Sequence, residues 1–422
     1  MTPDSPLGLS LAPSADAAVT IVRRLREAGH EAMLNGGCVR DLLLGVEPQD
    51  YDIATGATPE QIRGMFRATR EVGAQFGVML VRAGGRWIEV ATFRTDGDYR
   101  DGRRPEQVMF SDARQDALRR DFTVNGMFLD PIAMRVIDYV GGQSDLAARV
   151  IRAIGEPRKR FEEDYLRLLR AVRFAARLGF AIEAQTAREI TLAAAKVAQV
   201  AAERVREELE KMLSHPSRAT AIRLIVELGL LPHLWPGADG AARTGATCPP
   251  EAMQMLGALP GEAGFVAGFA CLVREESQEE LERIARHLTF SNEDREALKG
   301  ALAARAALRE PATVRPAVLK RLMASAVWPT LHDLMLADYS ILPDGAMLAA
   351  QFAARVAAIP ADEIAPKPLI SGHDVLARGV PAGPAVKPLM DQLYDEQLDG
   401  TLRDRAGALR RLEELTRDGG KG

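Results

Sequence analysis

Cysteine, histidine and aromatic residues are all scarce in this chain, and each scarcity excludes a class of function. Three cysteines, Cys38, Cys248 and Cys271, lie far apart with no CxxC or Cys/His spacing, so neither a disulfide framework nor a zinc site is expected. That usage fits a reducing cytoplasm. Aromatic residues make up only 5%, too few for ring stacking to be the main grip on any ligand. No apolar run approaches the roughly 20 residues that a membrane-spanning helix needs. Met1 to Pro13 lacks the basic and apolar regions of a secretory signal, so none is expected there. Excess positive charge is also missing: the formal net charge is −4, a poor start for phosphate binding. The arginines are clustered, however, at Arg103-Arg104, Arg119-Arg120, Arg158-Lys159-Arg160, Arg167, Arg170, Arg173 and Arg177, while Glu275-Glu276 and Glu279-Glu280 lie elsewhere. A local basic cleft is compatible with an acidic whole.

What is present is a globular balance of 47% hydrophobic and 27% charged residues over 422 positions, long enough for two or more domains. Asp16 to Ala28 reads as an amphipathic helix stopped by Gly29. A short apolar stretch from Glu31 then runs into Gly36-Gly37, and Val39 to Leu44 looks helical. Thr58 to Phe66 is a further helix, with Thr58 as its cap and Pro59 at its first position. Phe76–Val81 and Trp87–Phe93 form a hairpin pattern across Gly84-Gly85, and Val124–Leu129 with Val136–Tyr139 a second across Asp130-Pro131. From Phe161 onward the helical period dominates. Gly237–Pro260 and Pro360–Pro368 read as breaks. The fold class is therefore α+β: a head on a small mixed sheet, followed by helices. Expected divisions are a head over 1–150, a neck over 151–236, a body over 237–365 and a tail over 366–422.

Asp50-Tyr51-Asp52 sets two carboxylates two residues apart, which in a strand share one face. Mg²⁺ prefers oxygen ligands, commonly one or two carboxylates plus substrate phosphates, and two such ions can stabilise both oxygens of an in-line phosphoryl transfer. Alone, an Asp-x-Asp pair is more often a solvated turn. Its neighbours change that weighting. Gly36 and Gly37 allow close backbone approach to phosphates, and the following helix start and Arg40 favour the same negative charge. Arg167, Arg170 and Arg173 recur every three residues and form one helical stripe, with Asp164 one turn earlier. A fixed acceptor beside a planar donor fork can read the edge of a base.

Asn35-Gly-Gly-Cys-Val-Arg-Asp41 and Gln49-Asp-Tyr-Asp-Ile-Ala-Thr55 together resemble the first motif of the tRNA nucleotidyltransferase and poly(A) polymerase family. In order follow Glu89-Val-Ala-Thr-Phe-Arg94, Arg119-Arg-Asp-Phe-Thr-Val-Asn125, Asp138-Tyr-Val-Gly-Gly142 and the helix from Glu163 to Phe174, each similar to a family motif. The resemblance implies a catalytic head with helical neck, body and tail. It implies Asp50 and Asp52 as Mg²⁺ ligands with Glu89 as third carboxylate, and Gly36, Gly37 and Arg40 around the nucleotide. Arg120 would meet the triphosphate, Asp121 and Asn125 the ribose, and Asp164 with Arg167 the base; Arg170 and Arg173 would meet phosphates. The implied substrates are CTP, ATP and the 3′ end of tRNA. Gln49, Gly126 and Tyr165 depart from the family pattern, and Tyr165 bears on how the reading helix begins. A poly(A) polymerase, a partial CC- or A-adding enzyme, and a non-catalytic RNA binder are the alternatives; the mixed charge of Leu412–Asp418 favours tRNA over poly(A), and the intact carboxylates disfavour the binder. Gly372-His373-Asp374 is read as a helix start capped by Ser371 or Asp374, since an HD-type metal site needs more histidines than the six present.

Overall fold

A computed structural model describes residues 11–73, 77–96, 108–235, 237 and 248–418. Its contacts divide the chain into Met1–Glu208 with Thr220–Thr247, and Leu209–Ala219 with Cys248–Gly422. The boundary expected at residue 150 thus falls inside the first unit and that at 365 inside the second.

In the first unit, α1 (Asp16–Glu27) buries Ala18, Ile21, Val22 and Leu25 completely, as its period dictates. Strand β1 (Ala32–Asn35) is buried at all four positions, the pattern of a strand covered on both faces. Helix α2 (Gly37–Leu43) follows, then β2 (Ile53–Thr55) and α3 (Pro59–Met65). Thr58 and Gln61 cap α3 reciprocally: the Gln61 N–H donates to Thr58 Oγ1, and the Thr58 N–H to Gln61 Oε1. Next come β3 (Thr69–Gly73), β4 (Val78–Ala83) and β5 (Arg86–Thr92). Two short strands, β6 (Arg94–Asp96) and β7 (Val108–Phe110), pair with each other. Helix α4 (Ala113–Leu118) leads to β8 (Phe128–Asp130) and β9 (Arg135–Ile137).

The main sheet has the order β3-β4-β5-β2-β1-β8-β9, and β2 and β5 are its one parallel pair. The chain leaves β2 through α3, β3 and β4 before returning beside it. Met33, Ala54, Phe93, Ala113, Ala117 and Phe128 form a core cluster that joins α4 to the sheet.

Several expected boundaries shift. The strand expected over Val124–Leu129 starts only at Phe128, because Thr123–Asn125 is a 3-10 turn held by the Asp121 carboxylate. Strand β3 and the β6–β7 pair carry no clear alternation and were not expected. Phe76, the expected start of β4, lies outside the described residues, as do Arg103 and Arg104.

Helix α5 (Gly142–Ala148) begins where the Asp138 carboxylate accepts from the N–H groups of Val140, Gly141, Gly142 and Gln143. A Cβ on Gly142 would stand 2.3 Å from the Thr123 carbonyl oxygen, so only glycine fits. The neck is not wholly helical: β10 (Val150–Ile151) pairs in parallel with β11 (Ala181–Ile182). Between them lie α6 (Pro157–Glu163) and α7 (Leu166–Leu178), the latter ended by Gly179 at φ 65°. Then follow α8 (Ala184–Ala193), α9 (Ala202–Leu213) and α10 (Arg218–Glu227).

All described elements after these are helical. The expected break over Gly237–Pro260 contains α11 (Pro250–Ala258), and residues 238–247 lie outside the described part. The break at Pro360–Pro368 holds one short helix, Ala361–Ile364. In the tail Ile370, Val375, Leu393, Ala408 and Leu412 make a cluster of their own. Gly372 begins a helix; the Ser371 N–H and Oγ both donate to the Asp374 carboxylate, which also pairs with Arg405, so capping accounts for this segment. Among the described residues no helix is long and apolar enough to cross a membrane.

Candidate active site

Asp50 and Asp52 lie in the extended lead into β2 and not within the strand itself. Tyr51 between them is 3% exposed, whereas Asp50 is exposed and Asp52 part-buried, the burial alternation of an extended segment. The Asn35 N–H donates to the Asp52 carbonyl at 3.0 Å and ties this lead to the end of β1. On the other flank Ile53 aligns with Val90, and one step back along the parallel pair Asp52 falls beside Glu89. The electrostatics agree: burial and the charges of Glu89 and Asp50 push Asp52 up to about 6 from its ordinary 3.8, against the pull of Arg120. Burial likewise raises Glu89, opposed by Arg94.

Among the described residues no three His, Cys, Asp or Glu side chains already stand close enough to hold a metal ion. The donor chemistry nevertheless fits a hard divalent cation. The donors are carboxylate oxygens only, and their mutual repulsion is what such a cation would relieve.

The glycine turn forms the adjoining wall. Gly36 has φ 71°, a conformation side chains resist, and its N–H donates to the Met127 carbonyl. A Cβ there would stand 3.1 Å from Nη1 of Arg120, so the glycine leaves room for that guanidinium. Gly37 opens α2. Arg40 does not project freely from that helix. It is buried, its Nη1 donates to Asn125 Oδ1 at 2.7 Å, and it pairs with Asp41. Beside the place near the nucleotide expected of it, Arg40 thus makes a supporting contact to Asn125.

The bonds continue inward. Asn125 Nδ2 donates to Asp121 Oδ1 at 3.3 Å, and Asp121 Oδ2 accepts from Nε and Nη2 of Arg170 at 2.8 and 2.5 Å. Burial opposes the charge on Asp121, but Arg170, Arg167 and the Phe122 N–H together hold its carboxyl below the usual range. Arg120 donates from Nε and Nη2 to Asp116 and packs its guanidinium 5.2 Å from the Phe128 ring centre.

The arginines of the α7 stripe each meet a partner within the fold, Arg167 and Arg173 buried and Arg170 part-exposed. Arg167 pairs with Glu163 and donates to the carbonyls of Arg160 and Arg119. Arg170 is committed to Asp121 and Arg173 to Glu208. All three are reached by partners because α7 is buried along most of its length. Asp164 precedes α7: it accepts from the Leu166 N–H and takes a two-pronged contact from Arg204 at 3.1 and 2.7 Å. Asp116, Glu163, Arg204 and Glu208 were missed from sequence. Asp116 was readable in principle, three and four residues before Arg119 and Arg120 on a helix. Arg204 and Glu208 sit on α9, 40 and 35 positions from their partners, and no local pattern announces them.

Known proteins place this arrangement. A family profile described as the poly(A) polymerase head domain matches residues 32–152, and one described as the probable RNA and SrmB-binding site of polymerase A matches residues 179–241. A CCA-adding enzyme of Lactobacillus gasseri is 32% identical over 402 residues, 93% of this chain and 95% of that protein. The chain belongs to the CCA-adding enzyme family. The CCA-adding enzyme of Geobacillus stearothermophilus is 44% identical over 229 residues, and there the match spans 54% of this chain and only 56% of that relative. The crystal structure of the Bacillus stearothermophilus CCA-adding enzyme in complex with CTP superposes with a TM-score of 0.82 at 29% identity, covering 97% of this chain and 100% of that one. A Thermotoga maritima CCA-adding enzyme complexed with tRNA shares the fold, at a TM-score of 0.64 and 22% identity over 94% of each chain.

Proposed function

We propose that this protein adds C and A nucleotides to the 3′ end of tRNA, taking them from CTP and ATP and releasing pyrophosphate. The observation that carries this reading is the meeting, within one unit, of coupled carboxylates at Asp50, Asp52 and Glu89 with the Gly36–Arg120 wall. The 3′ oxygen of the RNA attacks the α-phosphorus of the nucleotide, its proton is lost, and the bond to the β-phosphate oxygen breaks as pyrophosphate leaves. Asp50 and Asp52 would hold Mg²⁺, with Glu89 assisting. When bound, such ions lower the pKa of the attacking hydroxyl and neutralise the departing phosphates.

Arg120 grips the triphosphate, Asp121 and Asn125 face the ribose, and Asp164 with Arg167 reads the base. Arg40, Arg170 and Arg173 add positive charge for the phosphates, and Arg40 and Arg170 also hold Asn125 and Asp121 in place. Residues 1–150 act as catalytic head and 151–236 as the neck that carries the reading helix; 237–365 and 366–422 are body and tail, which grip the tRNA backbone by shape and phosphate contacts. The cytoplasm suits three unbridged cysteines, Cys38 and Cys271 of them buried.

The test is a tRNA lacking its 3′ CCA, incubated with Mg²⁺ and CTP or ATP separately and together. C addition from CTP alone, then one A and a stop when ATP is present, is the expected result. Unlimited A addition would make it a poly(A) polymerase, addition of only one nucleotide type a partial enzyme, and no addition of either an RNA binder.

A further inference from the structure

Asp116 lies beneath this cleft and is 1% exposed. Its Oδ1 accepts from Nε and Nη2 of Arg119 at 2.9 and 2.7 Å and from the Arg94 N–H at 3.4 Å; its Oδ2 accepts from Nε and Nη2 of Arg120 at 3.2 and 2.8 Å. One carboxylate therefore takes a side of each of two consecutive guanidinium groups. The remaining end of Arg120, Nη1, reaches the Asn125 carbonyl at 3.4 Å and stands against Gly36. Arg120 also lies within electrostatic reach of Asp52.

We propose that Asp116 is a positioning residue for nucleotidyl transfer, holding Arg120 from below so that its Nη1 faces the glycine turn, where the triphosphate binds. This rests on the function proposed above. A guanidinium on a flexible stem, placed near Asp52 without another partner, would fold onto that carboxylate. There it would compete with the cation that Asp52 is meant to hold. The Asp116 fork prevents both outcomes by fixing two donors of Arg120 and leaving the third edge for substrate. Burial opposes its charge, but Arg120 and Arg119 hold its carboxyl below the ordinary range, so the fork stays ionised wherever the enzyme works.

The experiment measures C addition to a tRNA lacking its 3′ CCA, with CTP varied, for the wild-type protein, D116N, R120A and the double variant. Pyrophosphate inhibition is measured alongside, and thermal melts confirm folding. D116N is expected to raise the KM for CTP and the inhibition constant for pyrophosphate about tenfold, the scale of one charge-assisted contact, with the KM for tRNA unchanged. Added to R120A it should cost almost nothing more, because it acts through Arg120. If D116N melts below the assay temperature, D116N/R119M, which also removes one of the two guanidinium groups the fork holds, carries the same measurement. An unchanged KM for CTP, or effects of D116N and R120A that multiply, overturns the positioning role while wild-type activity upholds the function. A wild-type protein that adds no nucleotide overturns both.

Discussion

Asp52, proposed above as a metal ligand, is held above its ordinary range by burial and neighbouring carboxylates, and its ionisation sets a measurable pH signature. Its folded-state pKa of about 6 lies above its ordinary 3.8, so between those values the native state keeps a proton that the unfolded chain has released. Stability from this group therefore falls as pH rises through that window, and above about pH 6 the metal-free protein bears the full cost of the crowded charges. A divalent cation offsets that cost only where Asp52 is ionised. Differential scanning fluorimetry should show Mg²⁺ raising Tm by several degrees at pH 7.5 and hardly at all at pH 5, on the scale of about 2–4 °C per kcal/mol for a unit of this size. Asp52→Asn should raise the metal-free Tm at pH 7.5 and abolish the Mg²⁺ response. An identical response at the two pH values would remove the premise that these carboxylates share a cation.

Helix α2 is flanked by two glycines at positive φ. Gly36 before it, at φ 71° and ψ −129°, lies outside even the left-handed helical well, so alanine is strained more there than at Gly45 after it, where φ is 72°. Only at Gly36 does the new Cβ meet Arg120; at Gly45 it meets nothing within 4 Å. Gly36→Ala should lose more stability than Gly45→Ala in melts, and Gly36→Ala alone should raise the KM for CTP. Equal KM values would separate the turn from the nucleotide. The junction of α6 and α7 gives a second test. Arg204→Met leaves Asp164 with the Leu166 N–H but without its two-pronged partner. The loss should be about 1–3 kcal/mol, with weaker preference for CTP and ATP over UTP and GTP. Arg204→Lys should not restore it, because an ammonium cannot reproduce the planar fork. Full discrimination in Arg204→Met would show that Asp164 is oriented by other means.

At the scale of the whole molecule, the second unit shows what one buried arginine can hold together. Arg218 is 1% exposed and donates from Nε to the Leu213 carbonyl, from Nη1 to those of Leu259 and Pro260, and from Nη2 to that of Gly261. Burial without a carboxylate partner costs the guanidinium, but four backbone acceptors compensate and staple the start of α10 to the chain after α11. Arg218→Met strands those carbonyls and should destabilise the second unit by roughly 3 kcal/mol or more. Hydrogen exchange should speed up across 250–262 in this variant, while CTP binding, proposed for the first unit, persists. Parallel loss of CTP binding would show that the units do not behave independently.

Much of this was open to reading in the sequence because it is local. The helical period of α1, the Thr58 cap, the paired glycines and the Asp50/Asp52 alternation each depend on residues within one or two turns. The order of the motifs was enough to indicate the family. The β6–β7 pair escaped because strands of three residues are set by their sheet neighbours and not by their own pattern, and β3 because Thr69–Gly73 carries no apolar alternation. The arginines of α7 read as one stripe beside the nucleotide, but spacing states which residues share a face and not what meets it. Only the fold brought Asp121 and Glu208 to that helix and Arg204 to Asp164 before it, as partners that no local pattern announces. Sequence alone determined the donor atoms of the site, which are covalent properties of the residues. Tertiary structure decided which charges face one another, and at these distances in a part-buried cleft that pairing sets what each group can do.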